Sequence, residues 1–196
     1  MSSTRHCTTN YQLAALIGAL DTGEIMKRDD TIRAIAATTL AIALAVGIAV
    51  AQEATLREKL VGTWLVAAVD NVRPDGSRFQ AFGPSPKGIL MFDQNGRFSF
   101  QLARPGRPNF ASGNRLEGTP DENKATVQGS LSYYGHYSVD EDDRTLHLYV
   151  ESSSYPNLDG IDNQRIITSL SEGELKWYSP AGTIGTTAEV VWKRAK

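Results

Sequence analysis

The sequence predicts an all-β fold, an antiparallel up-and-down barrel of about eight to ten short strands with one inserted helix, preceded by an N-terminal signal-peptide helix. Three observations predict it. Short apolar or alternating runs recur from residue 61 almost to the end of the chain. Turn-forming stretches separate them: NVRPDG at 71–76, DQNG at 93–96, DEDD at 140–143 and SEG at 171–173. Between the strands, one stretch alone carries a full set of helix-start signals. Closure into a barrel is the economical way for such a meander to remove its sheet edges. An open sandwich is the alternative.

Taken in order, residues 54–60 read as a short helical lead-in. Residues 61–69, VGTWLVAAV, are apolar on both alternating faces, as in a strand with neither side in water. Residues 88–92 and 97–102 flank Asp93-Gln94-Asn95-Gly96, a hairpin signal because Asn-Gly tolerates positive φ. In the second arm Phe98, Phe100 and Leu102 share one face and Arg97, Ser99 and Gln101 the other. Residues 103–118, rich in Pro, Gly, Arg and Asn, predict a long loop. A helix then starts with Thr119 as N-cap, Pro120 at the first helical position and Glu122 three residues after the cap, and runs to about Gly129. The remaining predicted arms are 134–139, 145–151, 165–170, 174–178 and 186–193. No internal repeat or low-complexity tract interrupts them.

The first quarter is a different polypeptide. Residues 32–51 read IRAIAATTLAIALAVGIAVA, with Arg33 the only charge. Met26-Lys27-Arg28 supplies a basic start, 40–50 an apolar stretch, and Ala49-Val50-Ala51 an A-x-A site before Gln52-Glu53. Together these predict a cleaved signal peptide over 26–51. An apolar run of this length also suffices to cross a bilayer, so an uncleaved anchor is the alternative. Residues 1–25 lie ahead of the methionine that opens the signal and read as an overextended translation start. The working domain is then 52–196, periplasmic or secreted after cleavage near Ala51.

Composition excludes several classes of function. The chain has 196 residues, with 20 Lys and Arg against 22 Asp and Glu; residues 52–196 hold 16 against 18, so the formal charge is −2 with or without the leader. A surface that holds nucleic acid by releasing counterions needs a marked excess of cations. Contact with a membrane is expected only during export, or through an uncleaved leader. The single Cys7 excludes an intramolecular disulfide and any multi-cysteine zinc site, and it leaves with the leader.

A family resemblance rests on motifs taken in order: Leu60-Val61-Gly62-Thr63-Trp64, Pro74-Asp75-Gly76, Gly83-Pro84-Ser85-Pro86-Lys87-Gly88, Asp93-Gln94-Asn95-Gly96-Arg97, Gly118-Thr119-Pro120, Tyr133-Tyr134-Gly135-His136-Tyr137-Ser138-Val139-Asp140, and Pro156-Asn157 through Gln164-Arg165. Over residues 56–194 the chain resembles the bacterial lipocalin-like domain family. GxW at the start of the first strand is by itself weak, since avidins also show GTW. The resemblance implies a small calycin-type barrel around a cavity, and it implies a fold more than an activity. It also implies structural roles for Gly62 and Trp64, with Trp64 plugging one end and a late arginine packed across it. Arg194 is the candidate for that arginine; a solvated strand-end charge is the other reading. The stretch after Trp64 lacks the glycine-rich pattern of the haem-binding nitrobindins, and the last strand has no histidine, so haem is not expected.

Candidate chemistry is sparse, and no cofactor or metal is expected. Residues 52–196 hold two histidines, His136 and His147. Glu151 shares a strand face with His147, but four residues along a strand is about 13 Å, too far for one ion to bridge. Tyr134, His136 and Ser138 would share one face and Tyr137 and Val139 the other. If the first set faces the interior it supplies polar handles in an apolar pocket; barrel filling is the plainer reading. On 145–151, periodicity leaves open whether Leu146, Leu148 and Val150 or His147, Tyr149 and Glu151 face inward. Arg165 would hold an anionic ligand head or sit as a surface charge at a strand start. No G-x-S-x-G elbow or phosphate-binding glycine loop is present. Ser152-Ser153-Ser154 has no evident base, and residues 140–143 are too short for an EF-hand loop.

The leading expectation is an exported barrel that binds a small hydrophobic ligand through Phe98, Phe100 and Trp177, with Tyr134, His136 or Arg165 fixing its orientation. The alternative is a barrel enzyme, an isomerase, cyclase or hydrolase, using His136 as base and Tyr134 or Glu151 as acid. A third is a stress-related or interaction protein whose barrel is only a scaffold.

Overall fold

Strand β1 (Gly62–Val72), apolar on both faces, is shared between two neighbours, and that sharing closes the sheet. Its first residues pair with β3 (Lys87–Phe92), and Trp64 to Val72 pair with β9 (Thr187–Arg194), with a bulge between Val66 and Ala68. The computed structural model describes residues 53–196. The expected signal peptide, the start-site extension and Cys7 lie outside the described residues.

From β3 the chain runs as an antiparallel meander through β4 (Arg97–Ala103), β5 (Ser130–Asp140), β6 (Thr145–Ser153), β7 (Asp162–Leu170), β8 (Glu174–Ser179) and β9. With β1 these make a closed ring of eight strands. The two-residue strand β2 (Arg78–Phe79), which the sequence did not signal, folds back on the end of β1 outside the ring. An open sandwich is therefore excluded: every strand of the ring has a hydrogen-bonded neighbour on each side.

Among the described residues, two α-helices lie outside the wall. The lead-in is α1 (Leu56–Leu60), started by a reciprocal capping box between Thr55 and Glu58. Its free amides at Leu56 and Arg57 donate to the Glu141 carboxylate from the β5–β6 turn, a favourable place for a negative charge. The inserted helix is α2 (Pro120–Gln128), with the Thr119–Glu122 box and Pro120 as expected from sequence; Gly129 is its C-cap. No residue of α2 is buried.

Alternation sorts the walls. Phe98, Phe100 and Leu102 point inward from β4, and Leu146, Leu148 and Val150 from β6, which answers the question periodicity had left open there. Trp64, Trp177 and Trp192 are the largest fully buried side chains of the core. Each such side chain contributes roughly 1.5–3 kcal/mol or more by removal from water.

The two ends of the barrel differ. At one, α1 and the turns β3–β4, β5–β6 and β7–β8 meet over Trp64. The indole Nε1 donates to Leu60 O (2.8 Å), and the Arg194 guanidinium stacks 4.1 Å over the ring. Arg194 donates to Val61 O, Lys59 O and Glu172 O. Gly62 has φ +129°, and a Cβ there would lie 2.6 Å from Arg194 Nη1, so the glycine of GTW is required both by backbone and by the arginine. At the other end the long connections gather: residues 104–129, 154–161 and 180–186.

Candidate functional site

Between those long connections the barrel interior opens into a cavity of about 270 Å³. Its deeper wall is aromatic and aliphatic: Val69, Phe100, Leu102, Tyr133, Trp177 and Val190. Val127, Tyr155 and Ile184, all exposed, ring its mouth from α2, the β6–β7 connection and the β8–β9 connection. Phe100 stacks on Tyr133 with centroids 4.4 Å apart and meets Trp192 edge-on at 5.6 Å. These contacts hold the wall rigid, as a preformed apolar pocket requires. Two other depressions, of about 260 and 360 Å³, lie outside the wall beside α2 and across β4–β6.

A few polar groups interrupt the apolar wall. Asn71 donates to Thr186 Oγ1 (3.2 Å) and accepts from the Ala81 amide (3.3 Å), tying the β1 end to two connections. Arg165, 7% exposed, reaches in from β7. Its Nη1 donates to Asn163 Oδ1 (2.6 Å) and Gln164 O (2.7 Å), and its Nη2 to the Tyr133 hydroxyl (3.1 Å). All three acceptors are neutral. Ion pairs elsewhere in the barrel join Arg78 to Glu189, Arg97 to Glu151, Lys176 and Lys193 to Glu174, and the two histidines to carboxylates; Arg165 takes part in none of these. A cation so placed costs several kcal/mol of lost hydration that no anion here returns. Burial pushes the Tyr133 phenol above its ordinary value, and the charge and hydrogen bond of Arg165 oppose that only in part. The phenol is thus protonated at neutral pH. Trp177 Nε1 is buried without a hydrogen-bond partner.

The sequence-selected residues separate sharply. Phe100, Arg165 and Trp177 are on the cavity wall. Phe98 is inside the barrel but below the cavity, packed between Phe92 and Tyr133. Tyr134 and His136 require correction: they lie on the outer face, Tyr134 at 49% exposure and the His136 side chain at 58%. Strand pleating sends Tyr133 and Tyr137 inward instead. Glu151 is outside as well. It is the extra residue of a β-bulge, skipped where Tyr134 pairs with Ser152 and Gly135 with Val150. Only glycine fits at 135, since a Cβ there would sit 1.9 Å from Tyr149 O.

The three residues considered for acid–base work do come near one another, but on the outer wall. Glu151 lies 3.6 Å from His136 Nδ1 and is paired with Arg97, whose Nη2 donates at 2.8 Å. That hydrogen bond from Arg97 holds the Glu151 carboxyl below its ordinary value, with His136 adding to the effect, so it is a carboxylate rather than an acid. Sequence reasoning missed the neighbouring dyad of His147 and Asp162 (Nδ1–Oδ2 2.8 Å), which links β6 to β7 through residues far apart in the chain. Tyr149 stacks between the two histidines, 4.8 Å from His136 and 6.0 Å from His147. Tyr133 was also missed as a wall residue, because its run carries aromatics on both faces. Among the described residues no three His, Cys, Asp or Glu side chains are grouped to hold a metal.

The family described as "lipocalin-like domain" matches residues 61–195, nearly the whole barrel. The chain belongs to that family. No curated protein matches it. Among solved structures, this lipocalin-like barrel is similar to bovine odorant-binding protein in complex with a selenium-containing odorant (17% identity, TM-score 0.38, covering 74% of this chain and 76% of that one). A second structure, bovine odorant-binding protein with its natural ligand, matches at 19% identity and a TM-score of 0.36, with 74% and 76% covered.

Proposed function

We propose that this lipocalin-like protein is an exported carrier that binds a small, mostly apolar molecule in its barrel cavity. The observation that carries the reading is the cavity itself: an aromatic and aliphatic wall, a few polar groups, and an open end ringed by long connections. Burial of ligand surface against Phe100, Trp177 and Val190 would supply most of the binding energy, at roughly 25 cal/mol per Å² before the cost of immobilising the ligand. Export rests on the basic start, apolar stretch and A-x-A site of residues 26–51.

Native mass spectrometry of protein purified gently from its own host tests the carrier reading; a bound small-molecule mass is expected, and the bare chain mass alone would count against it. Intact-mass analysis of the exported form tests the processing, with a start near Gln52 expected and a mass including Met1 refuting it. Acid–base turnover by His136, Tyr134 and Glu151 would have to take place on the outer wall, away from the cavity.

A further inference from the structure

We infer that the ligand of this cavity carries a carboxylate, held by Arg165 and Tyr133. The inference rests on the carrier reading and adds the ligand class. Arg165 is the one charged side chain among the residues that line the cavity, and every protein acceptor it has is neutral. A guanidinium has five N–H donors. Three are used, two on Nη1 and one on Nη2, which leaves the Nε–H and one Nη2–H without an acceptor among the described residues. Those two donors sit on adjacent nitrogens, and a carboxylate accepts from such a pair with two parallel bonds.

Tyr133 adds a third donor. Its hydroxyl oxygen accepts from Arg165 Nη2, so its own proton is left to donate, and no acceptor for it exists among the described residues. An alcohol or ester oxygen would use one of these donors and leave the charge uncompensated. A carboxylate uses the pair, takes the phenol proton as a further hydrogen bond, and neutralises the buried cation. One cation calls for one anion, and the other polar groups of the lining are uncharged beside an aromatic and aliphatic deeper wall. The ligand is accordingly an amphipathic monoacid, with an alkyl or aromatic body and a single carboxylate.

The test compares decanoate, methyl decanoate and decanol as competitors against a neutral fluorescent reporter, N-phenylnaphthylamine. The unmodified protein should bind decanoate at least about tenfold more tightly than either neutral analogue, the ratio expected for a charge-assisted pair. Arg165→Met should remove that preference, lowering decanoate affinity far more than ester affinity, and Tyr133→Phe should weaken decanoate by about threefold or more and the ester by less. Equal affinities for all three in the unmodified protein would overturn the carboxylate assignment and leave the carrier reading standing. A tenfold preference that survives Arg165→Met would overturn the role of Arg165. If neither the reporter nor any of the three binds, both readings fall. The comparison in the unmodified protein needs no variant, so it decides even if Arg165→Met does not fold.

Discussion

Arg194 and Arg165 sit at opposite ends of the same barrel and are treated in opposite ways. Arg194 lies flat on Trp64 and gives its donors to three backbone carbonyls, Val61, Lys59 and Glu172. Its partners lie in α1, at the α1–β1 junction and in the β7–β8 turn, so it joins segments that would otherwise separate. Arg165 is buried deeper and also makes three hydrogen bonds, but to Asn163 Oδ1, Gln164 O and the Tyr133 hydroxyl on the wall of the cavity. An arginine whose bonds tie backbone from separate segments holds the fold together. One buried on a cavity wall with no anion beside it adds little to stability, as befits a group kept for a ligand.

The comparison can be broken at several points. Trp64→Ala should have the largest effect, a loss of about 3–5 kcal/mol in urea unfolding, because a fully buried indole leaves a cavity between α1 and the barrel. A loss under about 1 kcal/mol would mean the Trp64 end is not core. Arg194→Ala should cost about 1.5–3 kcal/mol by the same measurement and leave ligand affinity intact, since it strips three carbonyls of a charged donor at the end away from the cavity.

Alkaline titration probes the cavity end. Burial raises the Tyr133 phenol above 10.0, so the folded protein keeps a proton that the unfolded chain releases. Its contribution is complete below about pH 10 and is lost as pH rises through the folded-state value. Tyr137, also raised chiefly by burial, acts with the same sign. Urea midpoints measured on either side of pH 10 should fall with pH, and Tyr133→Phe should flatten that fall; an unchanged slope would contradict the placement of Tyr133.

Arg165→Met should leave stability within about 1 kcal/mol of the starting protein, or raise it, because an uncompensated buried cation is replaced by an apolar side chain of similar length. A loss above about 3 kcal/mol would make Arg165 structural and dissolve the contrast with Arg194. His136→Ala is the smallest change, within about 0.5 kcal/mol in stability and without effect on ligand affinity, as befits an exposed outer-wall residue. A clear loss of affinity would return His136 to the binding machinery.

Much of the fold was legible because its signals are local. The Asn95-Gly96 hairpin, the Thr119–Pro120–Glu122 helix start and the shared face of Phe98, Phe100 and Leu102 each depend on residues a few positions apart. The two-residue β2 carried too few residues to show a period. The β6 bulge was equally hidden, since an extra residue in one strand is defined only against its partner. The site was half legible: Arg165, Phe100 and Trp177 stood out by residue type, whereas Tyr134 and His136 were assigned to the wrong side of the wall.

That error marks the boundary between the two kinds of information. Period-two alternation in the sequence determined which residues share a face, and the run of short strands and turns pointed to a barrel, whose closure was decided by the β1–β9 pairing. Which face of β5 turns inward was decided only by tertiary structure. SLSYYGHYSVD offers tyrosines to both sides, so transfer free energy along the strand alone is nearly indifferent. The register against Phe98 and Phe100 on β4, and the bulge opposite Gly135, break the tie. They turn Tyr133 toward Arg165 and leave His136 in water.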